Sequence, residues 1–249
     1  MKKILYSVAL AACCMGTMTS CSDFLDASNK SNVTAKQSFA TKEGLNNLVN
    51  NAYQHLQNVY AAPLFTSCFS AGTDMYADAR NKMNEALNTY ETLTPENTDI
   101  KNLYTYLYAG IRAANSVSYY AQTAQVDDKT KGQLVGEARV LAAYEYYLLV
   151  NNFGGVPIMK DFLTTADTGY PKSSAADVYA YIISELEDVI GKNVLQASTA
   201  TKGGGRISQE TAKAILAKTY LSAAWDLNKQ EYFSKAAALA DEVIAGRRL

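Results

Sequence analysis

Histidine occurs once in the 249 residues, at His55, and tryptophan once, at Trp225. His55 has no cysteine or second histidine at ligand spacing, so a histidine-based metal site is not expected. No serine–histidine–acid arrangement can be built around it either, and it is assigned a surface or packing role in the first helix. Cysteine is also scarce, at four. Cys13 and Cys14 fall inside an apolar N-terminal run and Cys21 directly follows it, which leaves Cys68 alone in the remaining chain. One thiol makes neither an internal disulfide nor a thiolate metal cluster. Set between Phe65 and Phe69, Cys68 is expected to be a buried, inert thiol. The formal net charge is −1, which gives no basic surface for nucleic acid or anionic lipid. Lys202-Gly203-Gly204-Gly205-Arg206 has the glycines of a phosphate loop. It lacks the Gly-Lys-Ser/Thr end and follows no strand, so it is assigned as a flexible loop. No catalytic residue, cofactor or metal is expected.

The N-terminus does contain an export signal. Lys2 and Lys3 precede a short apolar stretch from Ile4 to Gly16, too short for the roughly 20 residues that span a bilayer. Met18-Thr19-Ser20-Cys21 then resembles a lipobox: an apolar residue, two small residues that fit a peptidase groove, and the cysteine whose thiol takes the lipid. Residues 1–20 are therefore expected to be a lipoprotein signal peptide, Cys21 the lipid attachment site, and residues 21–40 a tether. A mature lipoprotein carries several acyl chains, enough for firm anchoring. The membrane is thus expected to be met through the lipid anchor only.

Beyond the tether the apolar residues step by three and four. Six such runs are Leu45 to Val59, Leu103 to Val117, Leu134 to Leu149, Val178 to Val189, Ala212 to Ala223, and Phe233 to Ile244. Ser174 with Asp177 forms a predicted capping box, Asn228 with Glu231 repeats the pattern, and Ser208 is a further predicted cap. Gly154-Gly155, Pro171 and Gly203 to Gly205 separate the runs. A short extended segment is possible only at residues 156–162. The fold class is therefore mainly α. Alanine and tyrosine at helix contacts, and small residues such as Gly110, Ala113 and Ala114, predict tetratricopeptide-like antiparallel pairs in a helical-repeat superhelix. Long loop insertions at residues 61–95 and 153–174 interrupt the repeat, and insertions on such a scaffold tend to carry function.

Gly136-Glu137-Ala138-Arg139-Val140-Leu141-Ala142-Ala143-Tyr144-Glu145-Tyr146-Tyr147, continuing to Asn151-Asn152-Phe153-Gly154-Gly155-Val156-Pro157-Ile158, resembles the signature of the SusD/RagB family of outer-membrane nutrient-binding lipoproteins. Ile111-Arg112-Ala113-Ala114-Asn115 resembles that family's earlier helix, with Tyr104 standing where tryptophan is common. Gly205-Arg206-Ile207-Ser208 and Ala212 to Leu221 resemble a later one. The resemblance implies a SusD-like α-helical domain over residues 41–249, expected to be truncated at the C-terminus because family members run to about twice this length. It also implies a non-enzymatic protein on the exterior face of the outer membrane. Such proteins bind nutrient oligosaccharides and deliver them to a SusC-like TonB-dependent transporter, with the helical-repeat side packed on the transporter. A peptide-binding member of the same family, or a helical-repeat adaptor without a small ligand, are the alternatives.

Candidate ligand contacts fall in the polar insertion after the first helix. Tyr76 offers a flat face to a sugar ring, and Asp74, Asp78, Arg80 and Asn81 offer hydrogen bonds to paired hydroxyls. Glu137 and Arg139 are expected to form a salt bridge or an inter-helix pair. Tyr144 to Tyr147 are expected to pack between helices in preference to forming a sugar platform, and Gly154 to end its helix in a backbone conformation that glycine adopts freely.

Overall fold

A computed structural model describes residues 34–61, 64–76, 85–165, 169–197 and 205–246. Residues 1–35 and 36–249 cluster as separate units, and the helical fold is that of the second. Cys21, and Asp78, Arg80 and Asn81, lie outside the described residues. So do the signal peptide and most of the tether.

The described residues form helices and contain no strand. They are α1 (Ala35–Ser38), α2 (Lys42–Tyr60), α3 (Leu64–Phe69), α4 (Glu85–Thr89), α5 (Thr98–Ala121), α6 (Asp128–Phe153), α7 (Ala175–Lys192), α8 (Gln209–Asp226) and α9 (Glu231–Gly246). All six predicted runs are helices, and most of the long ones begin where a side chain can satisfy free backbone N–H groups. Thr41 accepts from the Gly44 N–H, Asn97 from Asp99 and Ile100, Asp127 from Thr130, and Ser208 from Thr211. Ser174 and Asp177 make the complete capping box. Asn228 departs from expectation. It adopts φ 52° just after α8, its N–H bonded to the Trp225 carbonyl, so it helps finish one helix and does not cap the next. Asparagine tolerates that left-handed conformation better than most residues. Gly154 ends α6 at φ 69° as expected. The 61–95 insertion is not a bare loop, since α3 and α4 fold within it. Within the predicted tether, Phe39 packs on Tyr120 with ring centroids 4.8 Å apart.

Successive long helices pack antiparallel. Tyr104 meets Phe153 and Gly110 meets Glu145 across α5 and α6. Tyr146 meets Tyr181 and Arg139 meets Glu185 across α6 and α7. Tyr179 meets Asp226 and Tyr220 meets Glu187 across α7 and α8, and Lys213 meets Glu242 across α8 and α9. α6 is the central rod, touching α2, α5, α7 and α8. Leu134, Ala138, Leu141, Tyr146 and Leu149 are buried along it, and a helix enclosed on several sides is apolar on several sides.

Two acids on α6 have opposite surroundings. Glu137 is buried, pairs with Arg206 Nε at 2.7 Å, and accepts from Tyr53 Oη at 3.1 Å and Gln133 Nε2 at 3.2 Å. Arg139 pairs with Glu185 at 2.7 Å and Asp188 at 2.5 Å. Both residues therefore make the expected ion pairs. Glu145 is fully buried, and neither carboxyl oxygen has a hydrogen-bond partner. A Cβ placed on Gly110 would lie 1.7 Å from Glu145 Oε1, so the glycine makes room for the carboxyl. Burial raises the Glu145 carboxyl well above its ordinary value of 4.5, because an unpaired buried charge is costly. The unfolded chain then holds fewer protons than the folded one above that value, and stability falls as pH rises. Glu145→Met removes this liability at nearly the same volume. Calorimetry should show Tm rising by about 2–4 °C for each kcal/mol recovered, with the gain larger at pH 8 than at pH 5.

Candidate functional site

The α6–α7 connection crosses the outer face of α5 as an irregular strap, residues 154–165. It is fixed by side chains reaching its backbone. Tyr108 Oη donates to the Pro157 carbonyl at 2.7 Å, and Asn115 Nδ2 donates to the Met159 carbonyl at 2.9 Å. Tyr146 Oη accepts from the Met159 N–H at 2.7 Å and donates to its carbonyl at 3.3 Å. Gly155 lies under the chain that leads into α7, where a Cβ would meet the Ser173 carbonyl oxygen at 2.2 Å. The quoted segments around Asn115, Tyr146 and Gly155 thus form one spatial device.

The predicted ligand loop is described only in part. Asp74 is exposed and Tyr76 half-buried, on a turn that follows α3. The turn is held by side chains of α4 and of Tyr90, the residue directly after that helix. Gly72, at φ 75°, receives the Asn88 side chain at its N–H and the Tyr90 hydroxyl at its carbonyl, and a Cβ there would lie 2.1 Å from Tyr90 Oη. Asp74 and Tyr76 are positioned by this turn but are not brought into contact with each other by any hydrogen bond or ring pair among the described residues. The remaining three candidates fall outside those residues.

Near the start of the same insertion lies a group of rings in which Tyr60 and Phe65, neither of them among the sequence-predicted ligand residues, are exposed. Tyr60, at the end of α2, is 41% exposed and Phe65 on α3 is 37% exposed. Their centroids are 5.4 Å apart, and Phe69 lies 5.3 Å from Phe65. Tyr60 and Tyr144 share a hydrogen bond between hydroxyls, and Tyr144 stacks on Tyr147 at 6.0 Å and 10°. Burial, followed by the contact with Tyr144, raises the Tyr60 phenol above its ordinary value, so it stays a neutral donor. The four-residue spacing of Phe65 and Phe69, one turn apart on a helix, was the available signal. Flat rings with polar tips at a surface suit both sugar faces and polypeptide. Cys68 beside them is only partly buried. Its thiol is pushed up to about 11 by burial and by Asp99, so it is protonated and unreactive at neutral pH.

The comparisons with known proteins agree with this architecture. A SusD-like family model, described as starch-binding and associating with the outer membrane, matches residues 23–221. The chain belongs to the SusD-like family. A SusD-like protein of Bacteroides ovatus is 27% identical over 134 residues, covering 52% of this chain and 24% of that one. SusD-like protein P38 of Formosa agariphila is 27% identical over 179 residues, covering 70% and 34%. Among solved structures, surface glycan-binding protein A from Bacteroides uniformis is 26% identical with TM-score 0.68, covering 81% of this chain and 46% of that chain. A SusD superfamily protein from Parabacteroides distasonis shares the fold at TM-score 0.72 and 22% identity, covering 87% and 46%. This SusD-like chain therefore spans about a quarter to a third of the curated relatives it matches and under half of the solved structures.

Within this SusD-like fold the strap supplies a direct test. Tyr146→Phe leaves the part-buried Met159 N–H without its phenol acceptor, a loss of about 1 kcal/mol, at the low end of the penalty for an unsatisfied donor. Thermal unfolding should show a lowered Tm, whereas Tyr119→Phe, on a ring 44% exposed, should leave it unchanged.

Proposed function

We propose that this protein is a lipid-anchored, non-enzymatic binder of nutrient oligosaccharides on the exterior of the outer membrane, which delivers them to a SusC-like TonB-dependent transporter. The observation that carries the proposal is the family match over residues 23–221, with its starch-binding description. The printed name of the Bacteroides uniformis protein, a surface glycan-binding protein, and that of a laminarin-binding SusD-like neighbour, point to the same ligand class. No helix of the described residues is long and apolar enough to cross a membrane, which fits an anchor through lipid on Cys21.

The ring cluster of Tyr60 and Phe65, with Asp74 and Tyr76 further along the same insertion, is our candidate contact surface. Stacked rings give sugar C–H groups an apolar face, and nearby carboxyl and phenol groups take the hydroxyls. Asp78, Arg80 and Asn81 extend this proposal along the same insertion.

Titration calorimetry of the chain against oligosaccharide and oligopeptide pools tests the reading. Heat is expected with the oligosaccharides, and heat with peptides only would overturn it. Tyr60→Ala with Phe65→Ala should weaken the sugar by about fivefold or more, since truncating an aromatic anchor commonly costs more than about 1 kcal/mol. Metabolic labelling with palmitate should mark the wild type in cells and fail to mark Cys21→Ser.

A further inference from the structure

A cavity lies apart from the ring cluster, between α2 and α5 and beside Phe162 of the strap. Its volume is about 300 Å³, the lower end of the range for small-ligand sites. One wall is aromatic: Phe39 and Tyr120 have centroids 4.8 Å apart, and Tyr120 and Phe162 lie 5.9 Å apart. The polar groups include Arg112, His55 and Asn51, with Ser116 already bonded to the Ala113 carbonyl.

The charges in this cavity do not balance. No acidic side chain lines it, and Asp161, which shares the adjoining smaller cavity with Arg112, makes no ion pair with it among the described residues. The Arg112 guanidinium sits 5.5 Å over the Phe162 ring and has no carboxylate partner among the described residues. His55 Nδ1 is buried and has no hydrogen-bond partner. Burial lowers the pKa of this imidazole, so it is neutral at physiological pH and adds no competing charge. The contrast with Arg139 and Arg206 matters, because each of those carries at least one carboxylate within 2.7 Å. An open guanidinium over an aromatic wall, with a polar atom left unsatisfied inside, is complementary to a planar anion carried on a ring.

We propose that this cavity binds a small ring-bearing carboxylate, with the anion on Arg112 and the ring against Phe39, Tyr120 and Phe162. A uronate is the carbohydrate of that chemistry. Only the choice of a sugar acid over other ring acids rests on the proposed oligosaccharide function. The unsatisfied His55 nitrogen and the Asn51 amide are placed to meet ring hydroxyls.

His55 is the sole histidine, so its imidazole resonances report on this cavity without assignment ambiguity. The test is an NMR titration of the full chain with glucuronate, cyclohexanecarboxylate and glucose. Saturable shifts of the His55 resonances with either acid, and none with glucose, are expected. Arg112→Met should weaken that binding by about tenfold or more at unchanged Tm, while Arg112→Lys should keep part of it. Still His55 resonances with both acids at millimolar concentration, equal shifts with glucose, or undiminished binding in Arg112→Met would overturn the proposal. Neutral oligosaccharides that bind without moving His55, alongside inert acids, would sink this cavity and leave the wider carbohydrate function standing.

Discussion

The phenol of Tyr146 is the point on which the arrangement turns. It lies toward the end of the most enclosed helix, where its ring is fully buried. A hydroxyl in that setting needs a partner, because losing water without replacement costs several kcal/mol. The partner is not another helix but the backbone of Met159, which gives the phenol its N–H and accepts in return. Asn115 takes the same carbonyl from α5. One irregular connection is thereby fixed to two helices at once, and its backbone polar groups, which no sheet or helix satisfies, gain partners along its length. Phe162 at its far end walls the cavity that holds Arg112, and Lys160 lies over the Tyr181 ring on the other side. Neither position would be defined if the strap were loose.

The electrostatics of the interior follow the same accounting. Glu137 keeps its charge beneath the surface because Arg206, Tyr53 and Gln133 surround it, and Tyr53 in turn accepts the Ile207 N–H. That cluster ties α2, α6 and the approach to α8 together with directional bonds. Breaking one partner of such a group is costly, although an apolar replacement of the whole would cost little. Glu145, two turns further along, has none of these partners. Its neutral form is the one the fold accommodates, and the space it occupies exists because α5 carries glycine at position 110.

Local features were legible in the sequence and distant ones were not. The six helical runs and the Ser174–Asp177 capping box depend on residues close along the chain, so spacing reveals them. Asn228 shows the limit even locally, since the same side chain suits a helix start or a left-handed finish. The Tyr144 to Tyr147 run was expected to pack between helices in preference to forming a sugar platform, and its members do pack, to depths set by helical phase. Tyr146 and Glu145 are fully buried, while Tyr144 and Tyr147 are half-buried and stack on each other beside Tyr60. The partnership of Asn115 with Met159 spans 44 residues; no periodicity carries such information, although the family signature includes Asn115 and runs up to the residue before Met159. The same holds for the Arg112 cavity, whose walls come from separate parts of the chain. Of the predicted ligand residues, only Asp74 and Tyr76 can be placed, and the exposed rings of Tyr60 and Phe65 give that neighbourhood a face that the polar loop alone lacked.

In this SusD-like helical scaffold an irregular strap is clamped onto two packed helices. Phenol and amide side chains satisfy the backbone of the strap and hold it in place. Native-state amide hydrogen exchange at Met159 tests this most directly. The account predicts that its N–H is protected as strongly as the core amides of Leu141 and Leu149 on α6. Exchange at the rate of an unprotected loop, with α6 still protected, would contradict it.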